Sequence, residues 1–307
     1  MNFTTLGSGI LGQSSQTESV LNYGTVRTAL VADAKSANDI AAAGSLPASS
    51  IPLYVNGTSD NPNGSGSLTP YLDNNNSGNN TTVRITTANQ KALGLLAANA
   101  PGVDASITFN SNFSFDFNPA DGITAGQYDF VGIASHEIGH TLGFVSGVDV
   151  LDTNSPGTNG PFLADQFTYV STLDLFRFSA DATTALPGAR DWSADTRAKY
   201  FSIDGGNTLT AQFSTGQVHG DGSQASHWKD NLGIGIMNPT VAPGVLLSIS
   251  ALDTAAFDVI GWNLADAPEP GTMALCATAI VFLAYRRKKA PAAFAATPSE
   301  ARTEPLS

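Results

Sequence analysis

Ile133-Ala-Ser-His-Glu-Ile-Gly-His-Thr-Leu-Gly-Phe144 (IASHEIGHTLGF) sets His136 and His140 four residues apart, with Glu137 directly after the first. On an α-helix that spacing puts both imidazoles on one face, one turn apart, where they converge on a single ion. Zinc suits them, because it takes imidazole nitrogen at about 2.0–2.1 Å and lowers the pKa of a bound water towards ~7. Glu137 is then placed to take that water's proton and hand it to the leaving amine of a peptide bond. The pattern His-Glu-x-x-His is the signature of this division of labour. The alternative is a chance histidine pair on a surface helix. Against it stand the helical context, with Asp129 as cap and an end near Leu142, and Gly143, which suits the closing turn. Val131, Ala134, Ile138 and Leu142 form the opposite face and are expected to pack into the core.

Two histidines do not complete a catalytic zinc site, which uses three protein ligands and leaves a fourth position to water. The chain has four histidines in all. Asp149 is one candidate for the third ligand, and it reads equally as a turn acid or, with Asp152, as a calcium ligand. His219 sits in a Gly/Asp turn and reads as an ordinary exposed histidine. His227 precedes Trp228, and Met237 follows ten positions later in GIGIMNPT.

His-Glu-x-x-His-x-x-Gly-Phe at 136–144, Ser-His-Trp at 226–228 and a methionine in a tight turn together resemble leishmanolysin, a branch of the metzincin zinc proteases. Most metzincins place their third histidine where this chain has Ser146. In the leishmanolysin arrangement an inserted subdomain separates it from the helix. The resemblance implies His227 as third ligand and Met237 as the residue beneath the metal. The segment SALDTAAFDVIGW, 250–262, is similar to the helix that closes such domains.

Composition narrows the function classes. Apolar residues make up 42% and charged ones 13%, a globular balance with the Asn, Ser, Thr and Gly content of exported bacterial proteins. The net charge is -12, and five of the 14 basic residues lie beyond position 285, so no basic stripe remains to neutralise phosphates and nucleic acid is not an expected partner. The one cysteine, Cys276, excludes internal disulfides and a Cys-rich zinc knuckle. Asp152, Asn154, Asp204 and Asp221 make calcium conceivable, without any EF-hand spacing.

The chain opens on MNFTTLGSGILGQSSQ, which reads as a strand end running into a Gly/Ser turn and implies an upstream segment, including any export signal. Residues 24–43 carry helical periodicity closed by Leu46-Pro47. Residues 56–80 are rich in Asn, Gly and Ser and read as a long surface loop. Residues 82–85, 105–110 and 113–117 read as strands, and 89–98 as a helix. Short apolar pieces among turn residues suggest an irregular lobe from the zinc helix to Leu264.

After Pro268-Glu269-Pro270 comes an apolar run, Gly271–Tyr285, spanning about 22 Å as a helix, then Arg286-Arg287-Lys288-Lys289. This order resembles the PEP-CTERM sorting signal of Gram-negative bacteria. It implies export, membrane retention through 271–285 and cleavage by an exosortase. The organisation expected is a catalytic domain over 1–264, a sorting segment over 265–289 and a polar tail over 290–307. The expected fold is α+β and metzincin-like, a twisted mixed sheet with the active-site helix above an irregular C-terminal lobe. The expected function is a zinc metalloendopeptidase acting on protein or peptide, with His136, His140 and His227 on the metal and Glu137 as the base. The rivals are a non-catalytic, metal-containing surface or matrix binding protein and a zinc hydrolase of non-peptide amides or esters.

Overall fold

The computed structural model describes residues 2–154 and 162–264. The sorting segment, its basic cluster and Cys276 lie outside the described residues. Met1–Asn263 forms one compact unit. Among the described residues no helix is long and apolar enough to cross a membrane.

The fold is α+β. In its first part the chain forms β1 (Asn2–Thr4), β2 (Gly12–Gln16), β3 (Glu18–Asn22), α1 (Tyr23–Asp33), α2 (Ala37–Ser45), β4 (Leu53–Val55), β5 (Tyr71–Asp73), α3 (Gly78–Thr81), β6 (Thr82–Thr86), α4 (Thr87–Ala92) and β7 (Ala105–Asn110). β8 (Phe115–Asp116), β9 (Tyr128–Asp129), α5 (Phe130–Thr141) and α6 (Val148–Asn154) complete it. The second part carries β10 (Arg177–Phe178), α7 (Ala180–Ala185), β11 (Arg190–Asp191), β12 (Lys199–Phe201), β13 (Gln212–Phe213) and α8 (Ala251–Val259). This part is irregular, as its composition suggests.

One twisted mixed sheet is expected; five small sheets form instead, none above three strands among the described residues. Strands of two to six residues separated by Asn/Gly turns cannot extend a common ladder. The sheet that matters for the site has the order β1-β7-β2, with β1 parallel and β2 antiparallel to β7. α5 lies across it, Ile133 and Ala134 packing on Ile107 and Phe109 of β7. Phe130 fixes the start of the helix, its ring 4.8 Å from Phe109 and 4.5 Å from Phe117.

Three further expectations change. The periodic run 24–43 is two helices, because Ser36 caps α2 and forms a reciprocal capping box with Asp39. The helix expected over 89–98 stops early, at the turn where Gly94 takes a positive φ of 67°. The loop 56–80 is not simply surface. Asn56, Asn61, Asn79 and Asn80 are buried, and their side chains satisfy carbonyls or carboxylates, as Asn80 does for Ile51 and Asp73. An asparagine amide can replace a missing ladder partner, so such a segment is buried without regular structure.

The main core is built where these pieces meet. Phe144, Phe213 and Trp228 are fully buried and contact one another, Phe213 stacking on Trp228 at 4.8 Å and Phe144 meeting it edge-on at 4.9 Å. Each such side chain contributes about 1.5–3 kcal/mol by burial. Two of the three stand beside the segments that bear histidines.

Candidate metal centre

α5 begins where Asp129 caps the Gly132 N–H at 2.9 Å, a contact worth ~1 kcal/mol. It ends at Gly143, whose φ of 115° turns the chain sharply. Of the expected core face Ala134 is buried, Ile138 and Leu142 are half-buried and Val131 is 46% exposed. Burial extends to Ile133, Glu137, Gly139 and His140, because the helix is packed on two sides. The sheet covers one; Met237 and Phe257 cover the other, at Gly139. A Cβ there would sit 2.5 Å from the Met237 Sδ, so only glycine allows this approach.

His227 arrives on a segment bridged to β13. Its carbonyl accepts the Ser214 N–H at 2.9 Å, and Trp228 pairs with Phe213. Three carboxylates or hydroxyls then hold that segment to the helix side. Asp149, the other candidate for third ligand, accepts from the Ala225 N–H at 2.6 Å and from both the N–H and hydroxyl of Ser226. The Ser226 Oγ in turn accepts the Ser146 N–H at 2.8 Å. Asp149 thus faces the segment that carries His227 rather than the three imidazoles. Burial pushes its carboxyl up to about 6, against the pull of Ser226. Asp253 is fully buried and accepts from the Trp228 indole at 2.7 Å, the Ile236 N–H at 2.8 Å and the Met237 N–H at 3.4 Å.

His136, His140 and His227 converge. Their Nε2 atoms are 3.1 Å (136 to 140), 3.2 Å (140 to 227) and 3.3 Å (136 to 227) apart. Each Nδ1 faces a backbone carbonyl: Ile236 at 2.8 Å, Phe144 at 2.7 Å and Gln224 at 3.2 Å respectively. A ring nitrogen against a carbonyl is the protonated one, so all three Nε2 atoms carry lone pairs. Burial also holds the imidazoles neutral, His136 below its usual range, His140 well below it, and His227 near 3. Three lone pairs facing one point repel one another unless a cation lies between them. Nitrogens about 2.0–2.1 Å from one tetrahedral ion lie about 3.3 Å apart, which matches zinc. The donor set fits that metal, and the carbonyl partners are the outer hydrogen bonds such ligands need.

His219 is not part of this group. Its N–H, with that of Val218, caps Asp152 at 2.8 Å. Asp152 and Asp221 are engaged by backbone N–H groups and, for Asp221, by Lys229. Among the described residues, only the three histidines form a cluster of His, Cys, Asp or Glu able to hold one ion.

Glu137 shares the cavity with the histidines, a cleft of about 850 Å³. It is 6% exposed. Burial pushes its carboxyl up to about 7, while a hydrogen bond from Ser14 of β2 draws it back. A Cβ at Gly12 would lie 2.8 Å from the Glu137 Oε1, so any larger residue on this strand would push the carboxylate aside. The role of β2 was not legible in the sequence, since GQSSQ carries no motif; nor was the reach of Asp253. Compared with protein-family models, curated proteins and solved structures, the chain matches none.

Proposed function

We propose that the protein is a zinc-dependent endopeptidase of metzincin type, arranged as in leishmanolysin. The observation that carries the reading is the three Nε2 atoms, all acceptors, facing one point beside a buried carboxyl in an open cleft. Zinc, when bound there, supplies a Lewis acid that polarises a carbonyl and makes water acidic enough to lose a proton near neutral pH. Glu137 would accept that proton and return it to the leaving nitrogen, the paired roles of a general base and acid. The carbonyls of Ile236, Phe144 and Gln224 hold the imidazoles in the required tautomer. Met237 braces the helix at Gly139 without reaching the ion.

A peptide is favoured as substrate by the sheet order β1-β7-β2, which leaves β2 at an edge. Gly12, Gln13, Ser14 and Gln16 of that strand line the cleft. An unpaired edge offers N–H and C=O groups to an extended chain. Export, retention at the membrane through 271–285 and exosortase processing belong to the same proposal, on the resemblance of the tail.

The test is zinc content per chain together with casein hydrolysis. His227→Ala is expected to lose both. Glu137→Gln is expected to keep zinc and lose activity by about 10²–10⁴-fold. A Glu137→Gln protein as active as wild type refutes the mechanism; a folded, zinc-loaded wild type inert on diverse peptides favours the binding-protein reading.

A further inference from the structure

Glu137 is buried, yet among the described residues lining its cleft there is neither a lysine nor an arginine to fix it. A carboxylate at the end of a flexible side chain keeps one orientation only where its neighbours hold it. The neighbour here is one face of β2. Gly12, Ser14 and Gln16 are half-buried and alternate with the exposed Gln13 and Ser15, so the three share the face towards α5. Gly12 packs on the Glu137 side chain with no room for a Cβ. Ser14 hydrogen-bonds the carboxylate. Gln16 completes the row, its Nε2 donating to the Ser14 Oγ at 3.2 Å. That bond occupies a lone pair of the hydroxyl and leaves its hydrogen for Glu137.

The main chain of the same residues faces elsewhere. Beyond the two ends of β2, the Asn110 N–H bonds the Leu11 carbonyl at 2.9 Å and the Thr17 N–H bonds the Asp104 carbonyl at 2.8 Å. Along an antiparallel pair, residues that exchange hydrogen bonds alternate with residues that do not. With Gly12 opposite Phe109 and Ser14 opposite Ile107, the residues bonded to β7 are Leu11, Gln13, Ser15 and Thr17. Gly12, Ser14 and Gln16 turn their N–H and C=O groups to the open edge. Ser14 thus presents its hydroxyl to the base and its peptide groups to any chain that pairs with the strand.

Resting on the peptidase reading above, we propose that Ser14 is a positioning residue: its hydroxyl holds the Glu137 carboxylate in register with the peptide that its own main chain aligns. Base and scissile bond are then set from one residue. Zinc-loaded Ser14→Ala keeps the backbone and loses the hydroxyl. It is expected to lower kcat about tenfold or more, the size of one hydrogen bond, with KM, zinc stoichiometry and thermal midpoint unchanged. Ser14→Thr, which keeps the hydroxyl, is expected to recover most of that loss. An unchanged kcat in Ser14→Ala, or equal losses in the alanine and threonine variants, overturns the role of Ser14. Crystal structures of the zinc-loaded wild type and Ser14→Ala give a readout independent of turnover. The Ser14 Oγ is expected within about 3 Å of a Glu137 oxygen in the wild type, and the carboxylate turned from that position in the variant. A wild-type hydroxyl directed elsewhere, or a carboxylate that does not move, overturns the inference. Fully zinc-loaded wild type that cuts no peptide overturns the peptidase reading and the catalytic role of Ser14 with it, while the crystal structures still decide whether Ser14 holds Glu137, so the two failures are told apart.

Discussion

Replacing Asp253 by asparagine keeps the shape of a fully buried side chain and changes only its hydrogen-bonding character. Oδ1 accepts from the Trp228 indole and the Met237 N–H, Oδ2 from the Ile236 and Ser250 N–H groups. Whichever way the amide turns, one oxygen becomes an NH₂ facing two donors. Two hydrogen bonds to a charged acceptor are lost, each worth about 1.5–3 kcal/mol, for a total of about 3–6 kcal/mol. Against a whole-protein stability of about 5–15 kcal/mol this is severe, and for a chain of this size it lowers Tm by roughly 6–20 °C. The loss also reaches the metal centre, because the Ile236 carbonyl that orients His136 belongs to the same turn. Urea unfolding of wild type and Asp253→Asn, with zinc affinity by chelator competition on the folded proteins, checks both effects. A stability loss below about 1 kcal/mol with unchanged zinc affinity refutes the assignment of Asp253 as the organiser of this turn.

Asp149→Asn is expected to weaken zinc binding about 10–100-fold, the cost of loosening a ligand's outer support, while some metal still binds; chelator competition distinguishes this from complete loss, which would restore Asp149 as a ligand. Gly139→Ala drives a methyl group into Met237 and is expected to cost about 1–3 kcal/mol, read from the urea midpoint. Burial acts to raise the Asp195 carboxyl, but Lys199 and Arg197 outweigh it and hold the group below its usual range. A carboxyl lowered on folding stabilises above its unfolded pKa of about 3.9, and that stability is lost as pH falls further through the folded value. Urea midpoints measured downward from pH 6 should therefore fall more steeply below about pH 4 in wild type than in Lys199→Met.

What the sequence reveals here is what is local. The α5 helix with its two histidines, its Asp129 cap and its Gly143 turn lie within fifteen residues, so periodicity and capping rules reach all of it. The break between α1 and α2 was also written locally, as Ser36-Ala-Asn-Asp39, a capping box inside an otherwise unbroken apolar rhythm. His227 is different. It lies 87 residues beyond His140, and no local period points to it; the resemblance to leishmanolysin does. The extended burial of α5 and the buried asparagines of 56–80 depend on what packs against them, which one-dimensional polarity does not encode. The supports at Asp149 and Asp253 join segments 76 and 16 or more residues apart, with nothing in their own neighbourhood to mark them.

The split origin of the three imidazoles gives the site an order of assembly. One turn of α5 presents two of them as soon as the helix exists, whereas the third waits for a distant segment to dock. A cation bound by all three places its binding free energy on that docking step, closing an 87-residue loop much as a covalent cross-link does. On the proposed zinc reading, metal affinity becomes a gauge of tertiary closure. Substitutions far from the imidazoles, along the path from Phe213 to Asp253, should register first as faster zinc release and only later as unfolding.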